Sequence, residues 1–389
     1  MLIIPVLLIN LLVDWYLYRA AKQRCKPVWH KVVLWSSVIL TAILIYIIAA
    51  PKKAVGEGDL SYLMWGIFGY FSVYIPKYIF VVLDLIGKIP CLFKHKRIKA
   101  FGRVGAGLGV LTFCLMWWGV VNRYNTQTVN VDFEDANVPQ AFDGFTMVQI
   151  SDIHTGTFGT DTAFLGKVVK EVNALNPDVI LFTGDIVNRH STELEPFVTT
   201  LSGLKAKYGV YSVLGNHDYG DYYMWLSEAD KAADLQHLKD LQAKMGWKML
   251  NNESATLHQG GDSIILIGVE NIGDPPFPKY GDLDAAYPAL DDGNFKILMS
   301  HNPAHWVEDI QDSPDKNIAL TLSGHTHAMQ MELFGLSPAV FRYKTWGGMY
   351  DDEDDAHHLY VNIGLGEVGF PARIGATPEI TKFTLKRKQ

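Results

Sequence analysis

Thr146-Met147-Val148-Gln149-Ile150-Ser151-Asp152-Ile153-His154 is the stretch on which the fold turns: five residues suited to a strand run straight into an aspartate and a histidine two apart. The arrangement recurs along the chain. Val179–Phe182 leads into Thr183-Gly184-Asp185, Val210–Leu214 into Gly215-Asn216-His217-Asp218, and Lys296–Met299 into Ser300-His301-Asn302. Ala319–Leu322 leads into Ser323-Gly324-His325-Thr326-His327. Short apolar runs alternating with longer amphipathic segments, Phe164–Ala174 and Ser227–Met245 among them, predict a layered α/β domain. Strands that each end in Asp, Asn or His bring those groups to one sheet edge, where α/β proteins build their sites. The glycines before Asp185, Asn216 and His325 let the backbone turn sharply there.

The side chains so gathered are hard or borderline oxygen and nitrogen donors, the kind that hold divalent metals without thiolates. Cys25, Cys91 and Cys114 all lie in the first third of the 389 residues and show no paired spacing, so neither thiolate ligands nor disulfides are expected in the remainder. A phosphate ester repels nucleophiles and water attacks it poorly. Two metals about 3.5–4 Å apart meet both difficulties, activating a water for in-line attack and neutralising charge on the phosphoryl oxygens. Any one of the 13 histidines is by default ordinary, and His258 and His305 match nothing in the series. The acidic run Asp351–Asp355 with His357-His358 reads as a solvated loop.

The ordered series Asp152-x-His154, Gly184-Asp185, Gly215-Asn216-His217-Asp218, His301 and Gly324-His325-x-His327 resembles the calcineurin-like metallophosphoesterase superfamily, over residues 145–385. Gly364-Leu365-Gly366 followed by Pro371-x-Arg373 is similar to its membrane-linked bacterial branch, typified by the YkuE and YaeI phosphodiesterases. The resemblance implies two mixed β-sheets packed face to face between helices. It also implies two divalent ions (Mn, Fe or Zn), one held by Asp152, His154, Asp185 and His327, the second by Asp185, Asn216, His301 and His325. Asp185 would then bridge. His217 matches the histidine that contacts the phosphate and protonates the leaving oxygen, with Asp218 beside it to orient or stabilise the imidazole. Arg373 is a candidate for substrate phosphate, or for a structural ion pair. Where the branch usually has Gly-Gly after the last ligand histidine, this chain has Ala328-Met329, which bears on how closely the backbone approaches the site.

The first third is a different material. Residues 1–124 carry 15 Lys and Arg against four acids, a charge of +11, whereas the rest carries 19 bases against 37 acids, or −18. So acidic a domain is not expected to bind nucleic acid. Four apolar runs, 1–18, 32–50, 60–83 and 104–121, approach the length that crosses about 30 Å of hydrocarbon. The first holds Asp14 and the third Lys77. A polar linker is expected over 122–143 and the catalytic domain over 144–389. Basic residues fill the first loop (Arg19, Lys22, Arg24, Lys26, Lys31) and the third (Lys88, Lys94, Lys96, Arg97, Lys99, Arg103), which the positive-inside rule makes cytoplasmic. The second loop, with Lys52 and Lys53 balanced by Glu57 and Asp59, then faces outward. Counting spans, the catalytic half emerges outside a bacterial cytoplasmic membrane. The expected activity is hydrolysis of a phosphodiester or pyrophosphate on a lipid-linked or envelope substrate, with membrane lipids as partners. The alternatives are a lipid A pathway hydrolase of the UDP-2,3-diacylglucosamine type, and a metal-binding membrane sensor without turnover.

Overall fold

Long apolar runs leave their backbone groups to be satisfied within the segment itself, and in lipid that means helix. The computed structural model describes residues 3–24, 26–49, 59–275, 277–288, 293–311, 317–354 and 356–388. Cys25, the loop residues Lys52, Lys53 and Glu57, and Asp355 lie outside them. Two units form, one of Met1–Val121 with Gly369–Ala372, the other of Asn122–Val368 with Arg373–Gln389.

In the first unit the helices are α1 (Ile3–Arg24), α2 (Pro27–Ala49), α3 (Asp59–Ile86), the single turn α4 (Ile89–Leu92) and α5 (Lys99–Asn122). Among the described residues three segments, Pro27–Ile48, Ser61–Leu92 and Lys99–Asn122, are long and apolar enough to cross a membrane. α1 is more polar, and its polar groups are partnered. Asp14 pairs with Lys77 at 2.8 Å and accepts from the Tyr74 hydroxyl at 2.7 Å, while the Asn10 amide meets the Tyr70 and Tyr78 hydroxyls. The charges that interrupt the first and third apolar runs thus neutralise each other, which lowers the cost of placing either in lipid. Asp84, fully buried, is matched by Arg97, by Lys88 at 3.5 Å and by the Tyr16 hydroxyl. Cys91 and Cys114 are free and exposed.

The second unit holds two six-stranded sheets. One contains β1 (Gln127–Asp135), β2 (Thr146–Ile150), β3 (Val179–Phe182), β4 (Val210–Ser212), β5 (Lys248–Met249) and the closing strand β12 (Glu379–Arg387), in the order β1-β12-β2-β3-β4-β5. The other contains β6 (Glu253–Gln259), β7 (Asp262–Gly268), β8 (Phe295–Met299), β9 (Leu320–Ser323), β10 (Gly348–Asp351) and β11 (His358–Val361), ordered β10-β11-β9-β8-β7-β6. β2, β3 and β4 run parallel in one sheet, and β7, β8, β9 and β11 in the other. The segment expected as a linker is not one: β1 occupies its middle and pairs in parallel with β12 along its nine residues, from Gln127 opposite Glu379 to Asp135 opposite Arg387.

Side chains alternate across each strand, and the alternation builds the layers. Met147, Leu181 and Tyr211 of one sheet meet Ile264, Leu266, Ile297 and Leu322 of the other in a shared core. The opposite faces differ. Val148, Ile150, Ile180 and Phe182 pack beneath α6 (Ala163–Ala174), the turn α7 (Val198–Leu201) and α8 (Glu228–Lys244). Ile265, Ile267, Leu298 and Val361 pack with Trp306, Ile310 and the short α9 (Leu283–Ala286). The face-to-face sheets between helices are the architecture expected of a metallophosphoesterase. Gln149 crosses the inter-sheet layer, donating to the Ser323 carbonyl at 2.8 Å. The carboxyl ends of β2, β3, β4, β8 and β9 therefore converge.

Candidate metal centre

Each donor follows a strand end, and the turn that carries it is unusual. Asp152, His154, Asp185, His325 and His327 all have left-handed backbone, with φ of 52°, 48°, 60°, 74° and 50°. Non-glycine residues occupy that region at a cost, and such strain collects at functional sites. Glycine is required where two of these turns touch: a Cβ on Gly215 would run into the Asp185 carboxylate, and one on Gly324 into Ser151 and the Asp152 carboxylate. These two motif glycines make room for ligand side chains.

Two groups of donors result, Asp152, His154 and His327 in one, Asp185, His301 and His325 in the other, each fit to hold a metal ion. In the first, His327 Nε2 lies 3.2 Å from Asp152 Oδ1 and 3.0 Å from His154 Nε2. In the second, His301 Nε2 lies 3.1 Å from Asp185 Oδ2, and the Asn216 side-chain oxygen lies 3.1 Å from His301 Nε2 and 2.8 Å from His325 Nδ1. Asp185 reaches both groups, because its Oδ2 is also 3.7 Å from His154 Nε2. These separations suit ligands of one ion, since donors about 2.0–2.1 Å from a tetrahedral metal stand about 3.3 Å from each other.

The imidazoles are oriented from behind. His154 Nδ1 lies 3.1 Å from the Val187 carbonyl and His301 Nδ1 lies 2.7 Å from the Thr183 carbonyl, so each Nδ1–H donates outward and each Nε2 lone pair turns into the centre. Backbone partners of this kind fix the tautomer of metal-ligating histidines. Burial works to raise Asp152 and Asp185, but nearby histidines, His327 for the first and His301 for the second, outweigh it and hold both carboxyls well below their usual range. Burial keeps His154 and His327 low and takes His325 down to about 4, with His301 adding to the effect on His325. His301 alone goes up, to about 9, because the Asp185 carboxylate overrides its burial. Ionised carboxylates and neutral imidazoles are the forms that ligate metals, and a divalent cation held here would replace the positive charge that Asp185 draws onto His301.

His217 stands over the first group, its ring 4.8 Å from that of His154 at near right angles and stacked 4.2 Å from Tyr222. Its Nδ1 lies 2.7 Å from the Asn188 carbonyl, to which it donates. Asp218 does not touch that imidazole. Its fully buried carboxylate accepts the backbone N–H groups of Asp185, Ile186 and Gly215 at 2.9 Å and of Val187 at 3.2 Å, so it pins the β3 loop. Burial and the nearby Asp185 push it up to about 7 against those four donors. The orienting role expected of Asp218 therefore falls to the Asn188 carbonyl, which adjacency in sequence does not reveal.

Of the two roles open to Arg373, the structure favours the structural one, made through backbone carbonyls and not through an ion pair. Arg373 is fully buried, donating to the carbonyls of Gly366, Ile363 and Ala376 and lying 3.1 Å from His327 Nδ1, so it braces the loop behind a donor and does not face substrate. Ala328 and Met329 have left-handed backbone, with φ of 51° and 47°, a conformation that glycine adopts without strain. His258 sits on β6, and His305 is buried against Ser300 Oγ at 2.9 Å. Two residues at the rim were not foreseen: Tyr222, whose hydroxyl accepts from the Asn216 amide at 3.0 Å, and Tyr343, whose hydroxyl lies 3.0 Å from His325 Nε2. Both are aromatic residues outside any motif, and no sequence signal marks them.

Residues 145–329 match the calcineurin-like phosphoesterase family model, and residues 1–123 match a second one described as a probable calcineurin-like phosphoesterase transmembrane domain. The chain is 31% identical over 268 residues to the uncharacterized metallophosphoesterase YkuE of Bacillus subtilis, covering 67% of this chain and 85% of that one. It is 31% identical over 287 residues to a zebrafish (Danio rerio) transmembrane protein with metallophosphoesterase domain, covering 72% of this chain and 62% of that relative. It is 28% identical over 311 residues to the UDP-2,3-diacylglucosamine pyrophosphatase LpxG of Chlamydia trachomatis, covering 66% and 89%. The chain belongs to the calcineurin-like metallophosphoesterases, metal-dependent phosphoric ester hydrolases, and carries a membrane domain ahead of the hydrolase fold.

Proposed function

We propose that this chain is a membrane-anchored two-metal hydrolase that cleaves a phosphodiester or pyrophosphate in a lipid-linked or envelope substrate. The observation that carries the reading is Asp185, whose Oδ2 stands 3.1 Å from His301 and 3.7 Å from His154, one donor from each group. Asp152, His154, Asp185 and His327 would hold one ion, and Asp185, Asn216, His301 and His325 the other. Nitrogen and oxygen donors of this mix suit Mn, Fe or Zn. When bound, such a pair supplies an activated water and neutralises charge on the phosphoryl oxygens. His217 keeps its Nδ1–H on the Asn188 carbonyl, so the proton for the leaving oxygen would come from Nε2–H of the imidazolium form, which returns to the neutral ring, and the stacked Tyr222 holds the ring plane.

The basic first and third loops favour a catalytic domain outside a bacterial cytoplasmic membrane. The similarity to LpxG supports a second reading, hydrolysis of a UDP-diacylglucosamine, which requires the opposite orientation because nucleotide-activated precursors are cytoplasmic. A reporter fused after Gln389 separates the two.

The test of the activity is hydrolysis of bis-p-nitrophenyl phosphate beside p-nitrophenyl phosphate by the detergent-purified full chain, stripped by chelator and reloaded with Mn, Zn or Fe. Diester hydrolysis restored by metal and lost in Asn216→Ala supports the reading. Hydrolysis of the monoester alone turns it towards a phosphatase. No turnover with two ions bound per chain leaves a metal-binding sensor in its place.

A further inference from the structure

Beside the centre the domain displays apolar side chains that its own core does not need. Phe334 and Phe341 are almost wholly exposed, and Leu333, Leu336 and Val340 are exposed as well. They sit on a rigid support. Leu333 and Leu336 exchange backbone hydrogen bonds of 2.9 and 3.1 Å, closing a two-residue turn with Phe334 at φ 56° and Gly335 at φ 76°. A turn with both central residues at positive φ normally takes Asn-Gly or Asp-Gly. A phenylalanine there is strained and points into solvent, which serves no purpose in folding. The base of the segment is fixed: Ser337 Oγ donates to the Ala328 carbonyl at 2.6 Å, Ala339 is fully buried, and the Tyr343 amide bonds the Ala339 carbonyl at 2.7 Å.

The same segment leads to the metal centre. Tyr343 bears on His325, and Arg342 bonds Asp274 at 2.5 Å, tying in the loop that carries exposed Phe277, whose ring lies 6.0 Å from Tyr222. Lys344, exposed, brings positive charge beside the apolar tips, while Arg342, also exposed, shares its charge with Asp274. Aromatic and aliphatic tips beside basic residues are the composition of a surface that seats in a lipid interface, the cations meeting anionic headgroups. The chain also supplies the bilayer, since the membrane-length helix Lys99–Asn122 is followed by β1 from Gln127.

We propose that residues 333–344 are an interfacial anchor, inserting Phe334 and Phe341 into the bilayer so that the metal centre meets phosphate groups at the headgroup level. The inference deepens the phosphoester hydrolase reading, because it draws the substrate from the membrane surface. The occupant of the patch is a phospholipid bilayer containing anionic lipid. A second copy of the chain is the competing occupant.

The experiment uses the full chain with Cys25, Cys91 and Cys114 replaced by serine, Phe334→Cys labelled with the polarity-sensitive fluorophore NBD, and reconstitution into phosphatidylcholine–phosphatidylglycerol vesicles. Phe341→Cys is the second labelled variant and Lys205→Cys, at an exposed site on another loop, the control. Insertion gives blue-shifted emission at 334 and 341, quenched by nitroxide-bearing lipid and shielded from aqueous iodide, with the control water-exposed. Emission at both sites quenched by iodide as at the control overturns the proposal. So does a blue shift that persists in detergent and vanishes on dilution, which marks a protein–protein contact. Hydrolysis of soluble bis-p-nitrophenyl phosphate by the same preparations reads the catalytic assignment separately. Its loss with insertion intact refutes the hydrolase alone, and its retention with water-exposed labels refutes the anchor alone.

Discussion

Replacing Asp218 by asparagine separates the role the structure gives this residue from the one its neighbour His217 suggests. The carboxylate accepts four backbone N–H groups, two on each oxygen, from Asp185, Ile186, Val187 and Gly215. An amide keeps one oxygen, so two bonds are lost and two buried N–H groups face an NH₂. Each net hydrogen bond is worth about 0.5–1.5 kcal/mol, and each buried donor left unpaired costs about 1–3 kcal/mol. Taking the low end of both ranges for the two lost bonds and the two donors they leave gives about 3 kcal/mol. For a domain of about 250 residues that lowers Tm by about 6–12 °C. Because the pinned loop carries Asp185, metal affinity should fall as well. Differential scanning fluorimetry and a zinc titration of the detergent-purified full chain read both. Unchanged Tm and metal affinity, with activity lost, would show that Asp218 acts through the His217 imidazole and refute the loop-pinning assignment.

Two further predictions concern stability. Burial takes His305 down to about 4, with Lys279 adding to this against the opposing Asp309 and Glu308, so the unfolded chain binds its proton first. The stability it contributes is present above about pH 6.5 and is lost as pH falls from there towards about 4, a total near 3 kcal/mol. His305→Gln should therefore lose less Tm than the wild type between about pH 7 and about pH 5; an equal loss would contradict the assignment. Met329, partly exposed at φ 47°, sits where glycine is unstrained. Relief of about 1–2 kcal/mol, less the entropy glycine adds to the unfolded chain, predicts that Met329→Gly gains about 0.5–1 kcal/mol. A lower Tm would show that the methionine side chain packs more usefully than its exposure indicates.

The donors were legible because metal chemistry fixes residue types and the strands fix their places. Asp152, Asp185, Asn216, His301 and His325 each follow an apolar run, and such runs end at one sheet edge. β1 was hidden by its position. An edge strand is half exposed, so Gln127–Asp135 alternates Val129, Val131 and Phe133 with polar residues and reads as a linker until its partner β12 is known. Asp218 and Arg373 have side chains suited to a site, but which way each points depends on loops 31–33 and 7–10 residues away. In the membrane unit, Asp14 and Lys77 lie 63 residues apart, and their pairing is visible only once α1 and α3 are side by side.

If Asp185 joins two metal sites, metal content by inductively coupled plasma mass spectrometry, read with diester hydrolysis on the same samples, shows it. Wild type, chelated and reloaded, is compared with Asp185→Asn. Two ions per wild-type chain are expected, with both occupancy and bis-p-nitrophenyl phosphate hydrolysis collapsing in Asp185→Asn because a shared ligand is lost. A variant that still binds two ions and hydrolyses the diester at the wild-type rate would contradict it.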